Sequence, residues 1–186
     1  MGYIKSISKG QFGTGALVVL YNAYVRSKLE FVSVIWNPYQ QNYSDDIESV
    51  QKQFVMYALG DTNRIPPYRL LPYEERCEKL GLDKLSTRRK MANALMAYDL
   101  YNKRINDVNI EARFVRRQQH RQLRIERPLV ESIYETNYGY YQPLAKVIRI
   151  VNEFGGLMVM NRNDFKMEIK KKLKGQIVDE VWNDES

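Results

Sequence analysis

One cysteine and one histidine stand in 186 residues. Cys77 by itself leaves no internal disulfide, and together with His120 it leaves too few soft ligands for a structural zinc site. Disulfide-stapled secreted scaffolds are thereby excluded, and the expected location is intracellular, nucleus or cytoplasm. No apolar run approaches the roughly 20 residues needed to span a bilayer, so no membrane partner is expected. The opening MGYIKSISKG lacks the apolar stretch of a secretory signal. It fits the outline of a myristoylation pattern, MGxxxS, but nothing else points to an anchor. GQFGTG, Gly10 to Gly15, lacks the Gly-Lys-Ser/Thr ending that puts a lysine and a metal-bound hydroxyl on phosphates, and no strand precedes it. There is no nucleophile elbow, no dinucleotide fingerprint, no internal repeat and no low-complexity segment.

What is present is apolar material for a core and an excess of positive charge. Hydrophobic residues make up 44% of the chain, enough to fold on. Fourteen Tyr against six Phe and two Trp is an unusual balance. Tyrosine fills half-buried positions with its hydroxyl wet, and its ring can also stack on bases. Lys and Arg number 29 against 22 Asp and Glu, a net charge of +7. That favours a polyanionic partner without choosing between nucleic acid, acidic protein and a charged surface.

Residues 1–15 hold three Gly within Tyr3–Gly15 and little periodicity, and read as a flexible leader. Ala16 to Trp36 has helical spacing, although it is apolar on more than one face, and β-branched Val32–Ile35 leaves a strand as the competing reading. Asn37-Pro38 stops it. Asp46 to Leu59 is a clearer helix, with Ile47, Val50, Phe54 and Tyr57 on one side, Asp45 as N-cap, Glu48 completing a capping box, and Gly60 at the end. After a loop holding Pro66-Pro67, Pro72 opens PYEERCEKLGL. Its acids lie in the first turn, Lys79 in the last and Gly81 just beyond, and Cys77 and Leu80 face inward. Ser86 to Lys103 reads as a helix capped by Ser86 that packs through Met91, Leu95, Tyr98 and Asn102. Ile133–Gln142 reads as an aromatic loop. Pro143 to Phe154 is a helix with Leu144, Val147, Ile148 and Val151 inward. Asp164 to Lys174 is a basic amphipathic segment around Phe165, Ile169 and Leu173, and an acidic tail follows.

Two stretches invite a chemical reading. Tyr43-Ser44-Asp45-Asp46 matches YxDD, the reverse-transcriptase signature whose carboxylates hold two Mg²⁺. That motif works at the tip of a β-hairpin, whereas Gln40-Gln41-Asn42 precede it here and a helical pattern follows. Asp45 and Asp46 therefore read as a decoy, and no catalytic or metal-binding residue is assigned. Arg113 to Arg127 carries six Arg, His120 and one Glu. On a helix, Arg113, Arg117, Arg121 and Arg124 would share a face and present forked guanidinia to phosphates; a solvated charged face is the alternative. His120, among Arg and Gln, has no partner pattern for general-base work.

Several blocks in order resemble the C-terminal part of reverse transcriptases from non-LTR retrotransposons, LINE-type and especially jockey-like. Leu20-Tyr21-Asn22-Ala23-Tyr24-Val25-Arg26, Leu29-Glu30-Phe31 and Trp36-Asn37-Pro38 resemble the block that follows the palm. Next come Glu48-Ser49-Val50-Gln51-Lys52-Gln53-Phe54, Leu71-Pro72-Tyr73-Glu74-Glu75-Arg76 and the pair Arg88-Arg89. Glu135-Thr136-Asn137-Tyr138-Gly139, Pro143 and Asn152-Glu153-Phe154 follow, so the likeness runs over about residues 17–155. In that family the catalytic hairpin lies upstream, so the resemblance implies thumb and post-thumb helices without the palm. It implies Mg²⁺ in the parent polymerase and no cofactor for this chain.

The expected architecture is mainly α, about six helices in a bundle-like lobe with a second small C-terminal lobe. The expected divisions are 1–15 leader, 16–107 thumb-like helical region, 108–175 basic helical region and 176–186 acidic tail. The expected nucleic-acid contacts are Arg88, Arg89, Arg113, Arg117, Arg121 and Arg124. The partners implied are RNA or an RNA–DNA duplex and a palm domain in cis or in trans. A helical protein-interaction module, or a relic exposing an interface for a missing palm, is the alternative.

Overall fold

The structure, a computed structural model, describes residues 2–8, 11–60, 71–117 and 127–183, with side chains as far as 173. The chain is mainly helical, as expected. It divides into two compact units, Met1–Arg89 and Lys90–Ser186, a division that falls inside a helix. Among the described residues no helix is long and apolar enough to cross a membrane.

In the first unit, α1 (Gly2–Ser8) replaces the expected flexible leader. Ile4 is buried with Leu17, Tyr21, Phe54, Val55, Cys77 and Leu82, and the Ser8 hydroxyl hydrogen-bonds that of Tyr57. Burying one isoleucine is worth about 1.5–3 kcal/mol, which opposes fraying of a seven-residue helix. α2 (Thr14–Tyr21) runs into a π-helical turn, Asn22–Arg26, and then α3 (Ser27–Glu30). Val32 then sits in the left-handed region at φ 51, unusual for a β-branched residue, and α4 (Ser33–Trp36) follows. The single expected helix is thus broken, and 33–36 is helical rather than a strand.

α5 (Gln41–Gly60) starts a turn earlier than expected. Asp45 lies inside it, accepting a hydrogen bond from Gln41 Nε2 at 2.9 Å, and is not its cap. α6 (Tyr73–Lys79) ends as expected. Gly81, at φ +64, sits where Leu82 N–H donates to Cys77 O and Gly81 N–H to Glu78 O, both at 2.9 Å, the paired bonds of a Schellman cap. Tyr21 stacks on Phe54 with ring centroids 4.1 Å apart.

α7 (Leu85–Tyr101) begins at the edge of this core. Its cap is not Ser86. The buried Glu48 carboxylate, from α5, accepts from Leu85 N–H at 3.0 Å and Ser86 N–H at 2.9 Å. An anion on the first amides of a helix satisfies groups the helix cannot and complements its dipole.

The second unit is built around the rest of α7, α8 (Val108–Glu111), α9 (Asn137–Tyr141), α10 (Pro143–Glu153) and α11 (Arg162–Asn183). Its core joins Ala94, Ala97 and Tyr98 to Leu129, Val147, Ile148, Val151 and Met158, and to Phe165, Ile169 and Leu173, the inward face expected of the basic amphipathic segment. The expected aromatic loop contains α9, capped by the Thr136 hydroxyl on Gly139 N–H at 3.2 Å. The expected acidic tail continues α11 to Asn183.

Candidate nucleic-acid interface

Arg88 and Arg89 follow each other on α7 and have different surroundings. Arg88 forms a two-pronged pair with Glu30, Nε to Oε1 and Nη2 to Oε2, the latter at 2.8 Å. That hydrogen-bonded carboxylate pushes the Arg88 pKa up. Arg89 is 2% exposed. Its Nε donates to Asn37 Oδ1 at 3.0 Å and its Nη2 to Ser44 Oγ at 2.9 Å. Burial lowers its pKa, since a guanidinium loses hydration there and Asn37 and Ser44 are neutral. Both arginines are thus built into the first unit, and Arg89 in particular cannot reach a phosphate backbone from this position. Partner geometry as well as residue type decides whether an arginine is presented: Arg89 is enclosed, and Arg88 is engaged by Glu30.

The YxDD residues lie along α5. Ser44 holds Arg89, Asp45 bonds Gln41, and successive helical residues point apart by about 100°. Among the described residues no group of three or more His, Cys, Asp or Glu is placed to hold a metal ion.

The arginine-rich segment is not a helix where it is described. After α8 the chain extends, and Arg116 pairs with Leu129 in an isolated antiparallel bridge. Arg117 N–H donates to Pro128 O and Val130 N–H to Val115 O, both at 2.9 Å. Leu129 explains the extended path. It is buried, and its backbone is clamped by the Asn152 amide, which accepts from Leu129 N–H at 2.9 Å and donates to Leu129 O at 3.1 Å. A buried strand-like residue with both backbone groups satisfied cannot also be helical. Alternation then sorts the neighbours. Phe114 and Arg116 share the side of Leu129, while Val115 and Arg117 take the other. Arg113, Arg117 and Arg127 are all exposed. The expected helical row of Arg113 and Arg117 is therefore replaced by an extended pair of segments, which also brings in Arg127. Arg121 and Arg124, with His120, lie outside the described residues.

Beside this pair is an open cavity of about 380 Å³. The C-terminal end of α7 supplies Tyr101, and Lys103 lies two residues beyond it; α8 supplies Glu111; and the extended segment supplies Phe114 and Arg116. The Arg116 guanidinium lies 6.0 Å from the Tyr101 ring centroid, and Lys103 Nζ is 3.9 Å from Glu111 Oε2. Sequence reasoning passed over Lys103, Tyr101 and Arg116. The two-residue alternation Phe114, Arg116 against Val115, Arg117 was the available signal, but a helical reading of the stretch hid it.

No family model, no curated protein and no solved structure matches this chain.

Proposed function

We propose that this chain is a thumb-like module of a non-LTR retrotransposon reverse transcriptase that holds RNA or an RNA–DNA template–primer by its phosphate backbone, and that it does not polymerise by itself. The observation that carries this reading is the antiparallel pairing of residues 115–117 with 128–130, around which Arg113, Arg117 and Arg127 are exposed. Guanidinium forks bind phosphate oxygens in pairs, and contacts of that kind fix register without reading sequence. Arg121 and Arg124, in the same stretch, are carried as further contacts on sequence grounds. A palm supplied in cis or in trans would bring the Mg²⁺ chemistry.

A specific observation favours a second reading. In the first unit Tyr3, Val19, Tyr24, Phe31 and Ile35 are exposed, and Tyr3 and Tyr24 meet edge to face at 5.9 Å. Such a surface suits a protein interface. Fluorescence anisotropy of the full chain with a labelled RNA–DNA duplex separates the two. The phosphate-holding reading expects binding that is lost in Arg113→Glu/Arg117→Glu; no binding at low salt, with self-association instead, supports the interface. Primer extension with Mg²⁺ that disappears in Asp45→Asn would contradict the absence of polymerisation.

A further inference from the structure

We propose that the cavity at the end of α7 binds one unpaired nucleotide, its base against Tyr101 and Phe114 and its phosphate on Lys103 and Arg116; this rests on the nucleic-acid reading above. The volume, about 380 Å³, falls within the range of about 300–1,000 Å³ usual for small-ligand sites. The lining combines three chemistries. Aromatic and aliphatic side chains, Tyr101, Phe114 and Leu129 among them, offer a surface for a flat apolar group. Two cations, Lys103 and Arg116, suit an anion. One carboxylate, Glu111, accepts from an N–H donor. A nucleotide carries all three partners: a π-face, a phosphate and base N–H groups. A phosphate alone would leave the aromatic surface unused, and an apolar ligand would make no use of the Lys103–Glu111 pair or of Arg116.

Lys103 adds an independent observation. α6 and α7 end in the same motif, with one N–H reaching five residues back and its predecessor three. For α7 these bonds are Arg104 N–H to Asp99 O at 2.8 Å and Lys103 N–H to Leu100 O at 3.2 Å. At the left-handed position α6 has Gly81, φ +64, and α7 has Lys103, φ 55. A side chain there is strained where glycine is not. A lysine held in that conformation on the rim of a cavity points to work done by its ammonium group.

Bases in a duplex are stacked and paired and cannot enter such a cavity, so the site selects a single-stranded end or overhang. The test uses the full chain and two RNA–DNA duplexes, one blunt and one ending in a single 2-aminopurine overhang. Expected are about tenfold tighter binding of the overhang than of the blunt duplex, and quenching of 2-aminopurine fluorescence as the base stacks. Lys103→Gly relieves the backbone strain, so it is expected to melt no lower than the parent protein. It should nonetheless bring the overhang down to the blunt-duplex affinity while leaving blunt binding in place. Equal affinity for the two duplexes, or an overhang preference that survives Lys103→Gly, overturns the nucleotide site and leaves phosphate holding intact. Failure of both duplexes to bind overturns the phosphate-holding reading as well.

Discussion

The Glu48 carboxylate accepts a hydrogen bond at 3.0 Å from the backbone N–H of Leu85, the first residue of α7. The same group accepts from Ser86 N–H at 2.9 Å and from the Tyr73 hydroxyl at 2.6 Å. One buried side chain thus ties α5, α6 and the start of α7 together. Glu48→Ala leaves two helix amides and a phenol without this acceptor, and is expected to destabilise the protein by about 3 kcal/mol. Glu48→Gln, which keeps one acceptor oxygen, is expected to lose roughly half of that. Urea unfolding followed by far-ultraviolet circular dichroism measures both; a loss in Glu48→Ala no larger than about 0.5 kcal/mol would show the carboxylate to be dispensable.

Arg89 separates a structural arginine from a ligand-binding one. Its guanidinium is held by Asn37 and Ser44, and its Nη1 has no hydrogen-bond partner among the described residues. Truncation to Ala opens a large space in the first unit and is expected to cost about 2–4 kcal/mol. The affinity of the folded protein for an RNA–DNA duplex is expected to stay unchanged. A variant of normal stability with weakened duplex binding would return Arg89 to the nucleic-acid interface.

Alkaline pH probes the same core. Tyr21 is fully buried, its hydroxyl donating to Gln51 Oε1 at 3.0 Å, and burial pushes its pKa far above the usual phenol range, with Glu48 adding to the effect. Tyr73 is shifted the same way, first by burial and then by its hydrogen bond to Glu48. An unfolded phenol ionises near pH ~10. Above that pH the unfolded chain binds fewer protons than the folded one, so stability is held below pH ~10 and lost as pH rises. The slope is at most about 1.4 kcal/mol per pH unit for Tyr21. Burial also raises the Cys77 thiol, which adds a loss of the same sign. The urea midpoint should be flat to about pH 8, dip as the unfolded Cys77 thiol ionises, and fall more steeply above pH ~10, more gently there in Tyr21→Phe. Identical alkaline slopes in the parent protein and Tyr21→Phe would exclude Tyr21 as a source.

Features set by near neighbours in the chain were legible in the sequence. Gly81 ends α6 because its own backbone conformation asks for glycine, and Pro143 opens α10 because proline suits a first helical position. Phe165, Ile169 and Leu173 face inward as their spacing required. What depends on distant partners was not legible. The cap of α7 is a carboxylate 37 positions earlier. Ile4 orders α1 only because a core exists to receive it. The arginine-rich stretch is extended because Asn152 holds Leu129 from 23 positions away. Of the candidate contacts, Arg88 and Arg89 have partners, Glu30 and Asn37, that residue type does not announce. Arg113 and Arg117 are exposed, though not on a helix, and Arg127 joins them through a pairing no local pattern encodes.

Salt dependence tests phosphate holding most directly. Each neutralised phosphate of a duplex contributes a slope of about −0.9 to log K against log salt. With Arg113, Arg117 and Arg127 all engaged, the full chain on an RNA–DNA duplex should give a slope of about −2.5 or steeper, and Arg117→Gln should reduce it by about one. A slope near zero, or no binding at the lowest salt, would contradict the phosphate-holding reading.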